Sequence, residues 1–249
     1  MARILALLLF LALPAQAEEV IAGLSQSRIS ITTNFDGSEI LIFGAVKREN
    51  PIPETSPLHV LVTVEGPSEP LTVRRKSKRL GIWVNTASVE VDEAPSFYAV
   101  ATSGPWSEVI QDIEDLRYRV STLRAIRSVG ARISGSEDFT NALIRIRRNQ
   151  DLYQTNIGAI SVEQQTLFST SVQLPANLHE GDYRARFFLT RNGRVIDSYQ
   201  TDIAVQKVGL ERFLFRLSRD KPLVYGLMSL AIAIAAGWMA SAAFRLFRA

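Results

Sequence analysis

The sequence predicts a mainly β protein: an immunoglobulin-like β-sandwich interrupted by a helical pair, followed by one C-terminal transmembrane helix. Three observations predict it. Short alternating apolar runs separated by turn residues fill about 27–102 and return at Leu167. Between them, over about 107–154, apolar residues recur every three or four positions, as a helix requires. Near the end, no charged residue lies between Lys221 and Arg245.

Residues 1–17 read as a secretory signal. Arg3 supplies the positive start, Ile4 to Leu13 an apolar stretch, and Ala15-Gln16-Ala17 a small-x-small cleavage pattern. The apolar stretch is short of the roughly 20 residues that cross a bilayer. A mature chain starting at Glu18 is expected, a retained anchor being the alternative.

The first half of the sandwich is read from "RISITTNF", "SEILIFGAV", "LHVLVTVEG" and "SFYAVATS", with Asp36-Gly37 as a hairpin signal between the first two. The stretch from Arg48 to Pro57 is a loop, because its prolines cannot donate to a sheet ladder. One helix is expected over about 108–127, with Ser107 as N-cap and Gly130 as a stop. Its apolar stripe would be Val109, Ile113, Leu116, Val120 and Leu123. A second is expected from Glu137 to about Tyr153, capped by Ser136, with a stripe of Phe139, Leu143, Ile146 and Tyr153. Strand period returns in "LFSTSVQLP" and "DYRARFFLT", and Asn192-Gly193 makes a tight hairpin into "RVIDSYQTDIAV". One shared core over residues 18–207 is favoured over two subdomains, because the last strands alone would form a thin sheet without a partner.

Residues 208–221 join this domain to the membrane. Leu210, Phe213, Leu214 and Leu217 fall on one helical face and Arg212, Arg216 and Arg219 on the other, an interfacial pattern. The alternative is the first turns of a longer membrane helix, interrupted at Pro222. Residues 222–244 are apolar enough to span, with Tyr225 and Trp238 towards the two interfaces, leaving 245–249 as a short tail. The expected topology is single-pass in the inner membrane, with the main domain periplasmic. Arg212, Arg216, Arg219 and Lys221 outnumber Arg245 and Arg248, which opposes the positive-inside preference. A large domain led by a signal peptide is nonetheless translocated largely regardless of charge.

Little catalytic chemistry is legible. There is no cysteine, which removes disulfides, thiol catalysis and thiolate metal sites. The two histidines, His59 in a strand and His179 in a turn with Glu180 and Asp182, belong to no zincin signature, nucleophile elbow or phosphate loop. Asp112, Glu114 and Asp115 alternate with Arg117 and Arg119 as a solvated helix face would. The chain is read as non-enzymatic, with no cofactor and no metal. Its net charge of +3 is mild, so basic stretches matter by location.

The most basic stretch is "TVRRKSKRLGIWVNT", where Arg74, Arg75, Lys76, Lys78 and Arg79 occupy five of six positions. An exported domain meets no genomic nucleic acid. Three readings remain: a solvated hairpin tip, a contact with anionic lipid or a partner, and a site for a small oxyanion that arginine forks would grip. Trp83 in the following strand is expected to pack on the sandwich.

That stretch, with "APSFYAVATSGP" and "VGLERFLFRLSRDKPLVYGLMSLAIAIAAGW", resembles the alphaproteobacterial transmembrane family Alph_Pro_TM. Arg74, Arg75, Lys76, Gly81, Trp83, Val84 and Asn85 match its central motif, and Pro95, Phe97 and Tyr98 the next. Gly209, Tyr225, Gly226, Gly237 and Trp238 match its C-terminal one, and Ser77-Lys78-Arg79 departs from it. The resemblance implies topology and compartment but no activity. It also implies a gene often encoded beside permeases of the sulfite and organosulfonate exporter class, an association and not a mechanism. The expected partners are therefore the lipid bilayer and a neighbouring anion permease. A chaperone-like envelope assembly factor, binding protein through an exposed strand edge, is the second reading. The oligomeric state is left open.

Overall fold

A computed structural model describes residues 18–32, 35–48, 51, 56–127, 136–209, 214 and 217–247. The strands are β1 (Glu19–Leu24), β2 (Arg28–Ile31), β3 (Ser38–Lys47), β4 (Leu58–Glu65), β5 (Ser68–Arg79), β6 (Ile82–Pro95) and β7 (Tyr98–Thr102), then β8 (Tyr153–Asn156), β9 (Ser161–Glu163), β10 (Leu167–Leu174), β11 (Gly181–Arg191) and β12 (Arg194–Lys207). Between β7 and β8 come α1 (Trp106–Val109), α2 (Asp112–Tyr118), α3 (Thr122–Ala125) and α4 (Ser136–Arg148), and α5 (Pro222–Phe247) ends the chain. The chain forms two compact units. One contains described residues up to Ile29 and from Asp36 to Val205, the other Ser30–Phe35 and Gln206 onward.

The expected sandwich is built from a four-stranded sheet, β1-β3-β10-β9, and a six-stranded one, β2-β12-β11-β4-β7-β8; β5 and β6 pair only with each other. Strand alternation decides how the layers stack, since neighbouring side chains point to opposite faces. Phe187 of β11 faces the smaller sheet, its ring 6.3 Å from Phe168 of β10. Phe188 faces the other way, its ring edge-on to Tyr118 of α2 at 5.5 Å. The same split runs through β4. Val60, Val62 and Val64 share the Phe187 side, Leu61 and Thr63 the Phe188 side, and all five are buried. A sheet apolar on both faces needs two covers. The smaller sheet is one, through Ile40, Ile42, Phe168 and Val172, and the helical segment is the other. The helices lie there because β7 and β8 are parallel, so their connection must cross over a sheet face.

The helical segment departs from expectation. In place of one helix over 108–127 there are three short ones, and α1 begins at Trp106 behind Pro105, without a Ser107 cap. Ile110 is extended, which separates α1 from α2. Arg119 is left-handed at φ 51°, and the Asp115 carboxylate accepts the N–H groups of Val120 (3.1 Å) and Ser121 (2.6 Å). These breaks split the stripe: Val109 and Val120 are buried as expected, Ile113, Leu116 and Leu123 are exposed, and Glu114 and Asp115, expected on a solvated face, are buried. The ion pair from Arg117 to Glu114 forms at 3.3 Å. Helix α4 buries Phe139 and Leu143 as expected but ends at Arg148; Asp151, at φ 57°, redirects the chain so that Tyr153 starts β8. Ile146 is exposed.

Asp36-Gly37 is not a hairpin: β2 lies in the six-stranded sheet and β3 in the other, so the turn crosses between layers. Gly37 has φ 114°, and a Cβ there would lie 2.7 Å from the Leu174 carbonyl oxygen. Asn192 and Gly193, at φ 50° and 74°, do form the expected tight turn. Strand β1 was not expected; it pairs antiparallel with β3 from Glu19↔Lys47 to Leu24↔Ile42. The signal segment 1–17, Gly130 and the tail 248–249 lie outside the described residues.

Two polar clusters tie the body together. Arg186, on the helix-facing side of β11, donates to the carbonyls of Tyr118 (2.8 Å) and Arg119 (3.2 Å), to Thr63 Oγ1 (3.2 Å) and to the Tyr98 hydroxyl (3.3 Å). Its guanidinium also lies over the Phe188 ring. Tyr98 in turn donates to the Val120 carbonyl at 2.7 Å, and burial raises its phenol pKa above the ordinary value. The second cluster centres on Glu18. The Glu18 carboxylate receives two bonds from Arg191 (2.9 and 2.7 Å) and one from Arg48 (2.6 Å), with all three side chains nearly buried. Arg191 also donates to the Ser56 carbonyl and Arg48 to that of Gln165. The Arg191 hydrogen bonds hold the Glu18 carboxyl below its ordinary pKa against the opposing effect of burial, and Arg48 adds to the lowering.

Glu18→Gln is expected to lower stability at neutral pH by roughly 3 kcal/mol, because two buried cations lose their counter-charge. In the unsubstituted protein the Glu18 contribution is complete above the unfolded carboxyl pKa of about 4.3. It is lost as pH falls through the lowered folded value, so denaturant unfolding of the two proteins should converge in acid. Arg186→Met should cost roughly 2–3 kcal/mol by removing the guanidinium donor from the Tyr118 carbonyl and leaving the Arg119 carbonyl with the longer Tyr98 bond alone. Arg186→Lys should recover only part of this, as the ammonium lacks the planar fork.

Candidate functional site: a cationic hairpin

The basic stretch forms a two-stranded ribbon. Strand β5 has 12 residues and β6 has 14, and they pair from Ser68↔Pro95 at the base to Arg79↔Ile82 at the end. Leu80 and Gly81 close it at φ 49° and 87°, the doubly left-handed turn whose twist suits a two-residue hairpin. Gly81 is the residue such a turn prefers. Leu80 is not, since a side chain in that region costs about 1–2 kcal/mol.

Only the base is built into the body. Val89 and Val91 are buried, and Arg75 lies over the Phe139 ring of α4 at 5.5 Å. Glu93 and Arg127 exchange backbone hydrogen bonds of 3.1 and 2.8 Å, and the Tyr153 hydroxyl donates to the Pro95 carbonyl at 2.8 Å. From Arg74 to Ser88 no described residue is buried. At about 3.3 Å per residue, the seven steps from Val73 to Leu80 carry the tip roughly 20 Å along the ribbon. A register irregularity at Arg75/Lys76 interrupts the ladder there, where Thr86 Oγ1 donates to the Arg75 carbonyl at 3.3 Å.

Cross-strand partners share a face, which sorts the side chains. One face carries Arg74, Lys76 and Lys78 opposite Ser88, Asn85 and Trp83; the other carries Arg75, Ser77 and Arg79 opposite Ala87, Val84 and Ile82. Cations therefore line both sides of the stem. None of the five takes part in a salt bridge among the described residues. At the end, Leu80 is fully exposed at 105%, with Ile82 at 65% and Trp83 at 67%. The expectation that Trp83 packs on the sandwich is thus corrected: its strand has already left the body, and no layer lies opposite it. Asn85 is likewise exposed on the ribbon. Phe97 and Tyr98, by contrast, are fully buried in the body, the Phe97 ring 6.1 Å from that of Tyr183. The central motif thus lies on the outer arm, and the next one, with Phe97 and Tyr98, in the body.

The other singled-out residues lie apart. Tyr225 and Trp238 sit on α5, which is apolar over Pro222–Ser241 with mean hydropathy 1.9 and is long enough to cross a membrane. Residues 217–220 are helical, and Lys221 N–H bonds the Leu217 carbonyl at 3.0 Å, so helical bonding runs up to Pro222. Arg219 is exposed there, while Leu210, Arg212, Phe213 and Arg216 lie outside the described residues. His59 Nδ1 is 3.3 Å from Ser103 Oγ, and the His179 carbonyl accepts the Tyr183 hydroxyl at 2.9 Å. The described residues hold no group of three or more metal-ligating side chains.

One surface escaped the sequence reading. On the outer face of the four-stranded sheet, Ile21, Leu41, Phe43 and Leu167 are exposed, and Ile21, Phe43 and Leu167 border a groove of about 520 Å³. Its signal is "ILIFGAV", which is apolar at both parities and so promises two apolar faces.

Together these features define a class: a β-sandwich domain with a projecting charged arm, on a chain that carries a helix of membrane-spanning length. The chain belongs to the family described as "Putative transmembrane protein (Alph_Pro_TM)", which matches residues 19–246. No curated protein matches the sequence.

Leu80→Asn is expected to relieve the left-handed strain, since Asn tolerates that region. Amide hydrogen exchange around the turn should slow by about fivefold, equivalent to roughly 1 kcal/mol. Global melting should stay unchanged, because the tip contributes nothing to the core.

Proposed function

We propose that this is a non-enzymatic, single-pass inner-membrane protein whose sandwich stands in the periplasm as an accessory to a permease of the sulfite/organosulfonate exporter type. The observation that carries the reading is the hairpin: five cations outside every salt bridge among the described residues, of which Arg74, Lys76, Lys78 and Arg79 stand clear of the body and Arg75 rests over Phe139 at the root. Such an arm suits recognition rather than turnover. Arginine forks present paired N–H donors to a carboxylate, phosphate or sulfur oxyanion, and so attract either an anionic solute or an acidic loop at a transporter mouth. A membrane tether keeps the arm at high local concentration near an integral partner. The leader pattern at 1–17 supports the periplasmic side.

A second reading is favoured by a different surface. The apolar groove beside edge strand β1 suits a protein client, as an envelope assembly factor would need.

The test is co-purification of the full chain with the neighbouring permease from detergent, alongside sulfite tolerance of a deletion strain. Arg74→Gln, Arg75→Gln and Lys76→Gln together should abolish the association and leave folding intact. An association lost on Phe43→Asp but kept in the triple variant supports the assembly-factor reading. Absence of any association, with unchanged tolerance, overturns the permease reading.

A further inference from the structure

We propose that the hairpin tip is a lipid-inserting finger: Leu80, Ile82 and Trp83 enter the interfacial layer of an anionic bilayer, and the stem cations engage its headgroup phosphates. This uses the same arm as the permease reading and rests on it only in treating the arm as a binding element.

Composition along the ribbon carries the argument. Leu80 and Gly81 come first, then Ile82 and Trp83, then Lys78 and Arg79 beside them, and farther back Arg74, Arg75 and Lys76. Half a bilayer has the same sequence of environments: acyl boundary, amphipathic interface favoured by indole, phosphate, and a negatively charged aqueous layer. At about 3.3 Å per residue, Arg79 and Lys78 stand about 3 and 7 Å behind Leu80, level with Ile82 and Trp83, so a tip buried by about 5–10 Å takes their backbone into the interface while their long side chains reach back to the phosphates. Lys76 and Arg75 then remain within about a Debye length of the surface, where each cation is worth about 1 kcal/mol, and Arg74 lies at its edge.

Leu80 points the same way. An asparagine or glycine would close the turn without strain, yet the position holds an aliphatic side chain with nothing to pack on. Exposure of three large apolar side chains at one projecting tip has no purpose in water.

The distribution of charge favours lipid over a protein groove. Arg74, Lys76 and Lys78 lie on one face of the ribbon and Arg79 on the other, with Arg75 behind it at the root over Phe139, so the cations form a collar. A fluid surface meets a collar equally from all sides, whereas a folded partner is contacted through one face. The chain also carries its own spanning-length helix, so even a weak insertion is populated.

The test uses the full chain reconstituted into vesicles of phosphatidylglycerol with phosphatidylcholine, or of phosphatidylcholine alone. Trp106→Phe and Trp238→Phe leave Trp83 as the sole indole. In the anionic vesicles Trp83 emission should shift to the blue, lose access to acrylamide, and be quenched by brominated acyl chains. Because the protein has no cysteine, Ile82→Cys carrying a nitroxide reports the same depth with all tryptophans kept. Replacing Arg74, Arg75 and Lys76 by Gln should lower the inserted-to-free ratio by on the order of a hundredfold. The proposal is overturned if Trp83 and the nitroxide stay water-accessible in both vesicle types. It is equally overturned if only a co-reconstituted permease shields them, an outcome that leaves the accessory reading standing. Bromolipid quenching without permease co-purification supports the finger and sinks the permease partnership.

Discussion

The guanidinium of Arg186 joins the six-stranded sheet to the helical segment through bonds to two carbonyls, a threonine hydroxyl and a phenol. It projects from the middle of β11 and caps the end of α2, where a helix leaves carbonyls without partners and carries partial negative charge. That end is awkward: the chain turns left-handed at Arg119 and must return towards the sheet. Arg186 from below, the Tyr98 hydroxyl beside it and the Asp115 carboxylate above satisfy the turn between them. With α2 held down, Tyr118 can lie against Phe188 and the second apolar face of the six-stranded sheet is covered. The double burial of β4 and β7 therefore depends on a single cation placed among hydrophobic neighbours.

The sequence announced those parts of the fold in which one physical preference dominates. Alternation in "DYRARFFLT" and the Asn192-Gly193 turn were legible because side-chain parity and left-handed backbone leave few options. The helical region was not, because tertiary demands overruled its period. Positions 113, 116 and 123 make a plausible stripe on an ideal helix, but a chain broken at Ile110 and Arg119 has no continuous face. Glu114 and Asp115 then went inward, one pairing with Arg117 and the other capping the backbone. Asp36-Gly37 misled for a related reason: the dipeptide specifies a turn, not whether the strands it joins share a sheet. In the candidate site the cationic residues were legible by composition, and Phe97 and Tyr98 by their place in an apolar run. The exposure of Trp83 was not, because sequence gives a strand's pattern without saying where the body beneath it stops.

The hairpin and the body obey different rules. Residues in the body are held by cross-layer packing, so each is stabilised by distant parts of the chain. Beyond Arg75, which rests over Phe139, the ribbon from Lys76 to Asn85 is held by its own ladder and turn, and a lone two-stranded hairpin is marginal in water. Its registration against the body comes from Val89, Val91, the Glu93–Arg127 backbone pair and the Tyr153 bond to Pro95. An arm built this way bends and twists about its root without disturbing the core, a useful property in an element that meets something outside the molecule.

Strand order also sets when the domain can come into being. Strand β3 is central to its sheet only because β10, more than a hundred residues later, pairs along its free side. The six-stranded sheet needs β11 between β4 and β12, and Asp197 accepts the backbone N–H of Val20 at 2.7 Å. Few of these contacts are local, so loop closure comes before any reward from pairing and folding is slow. The six-stranded sheet is complete only when β12, the last strand before α5, has paired with β2 and β11. Until then the outer edge of β11 stays open as an unpaired template, although β1 with β3, β4 with β7 and β5 with β6 need nothing from β12.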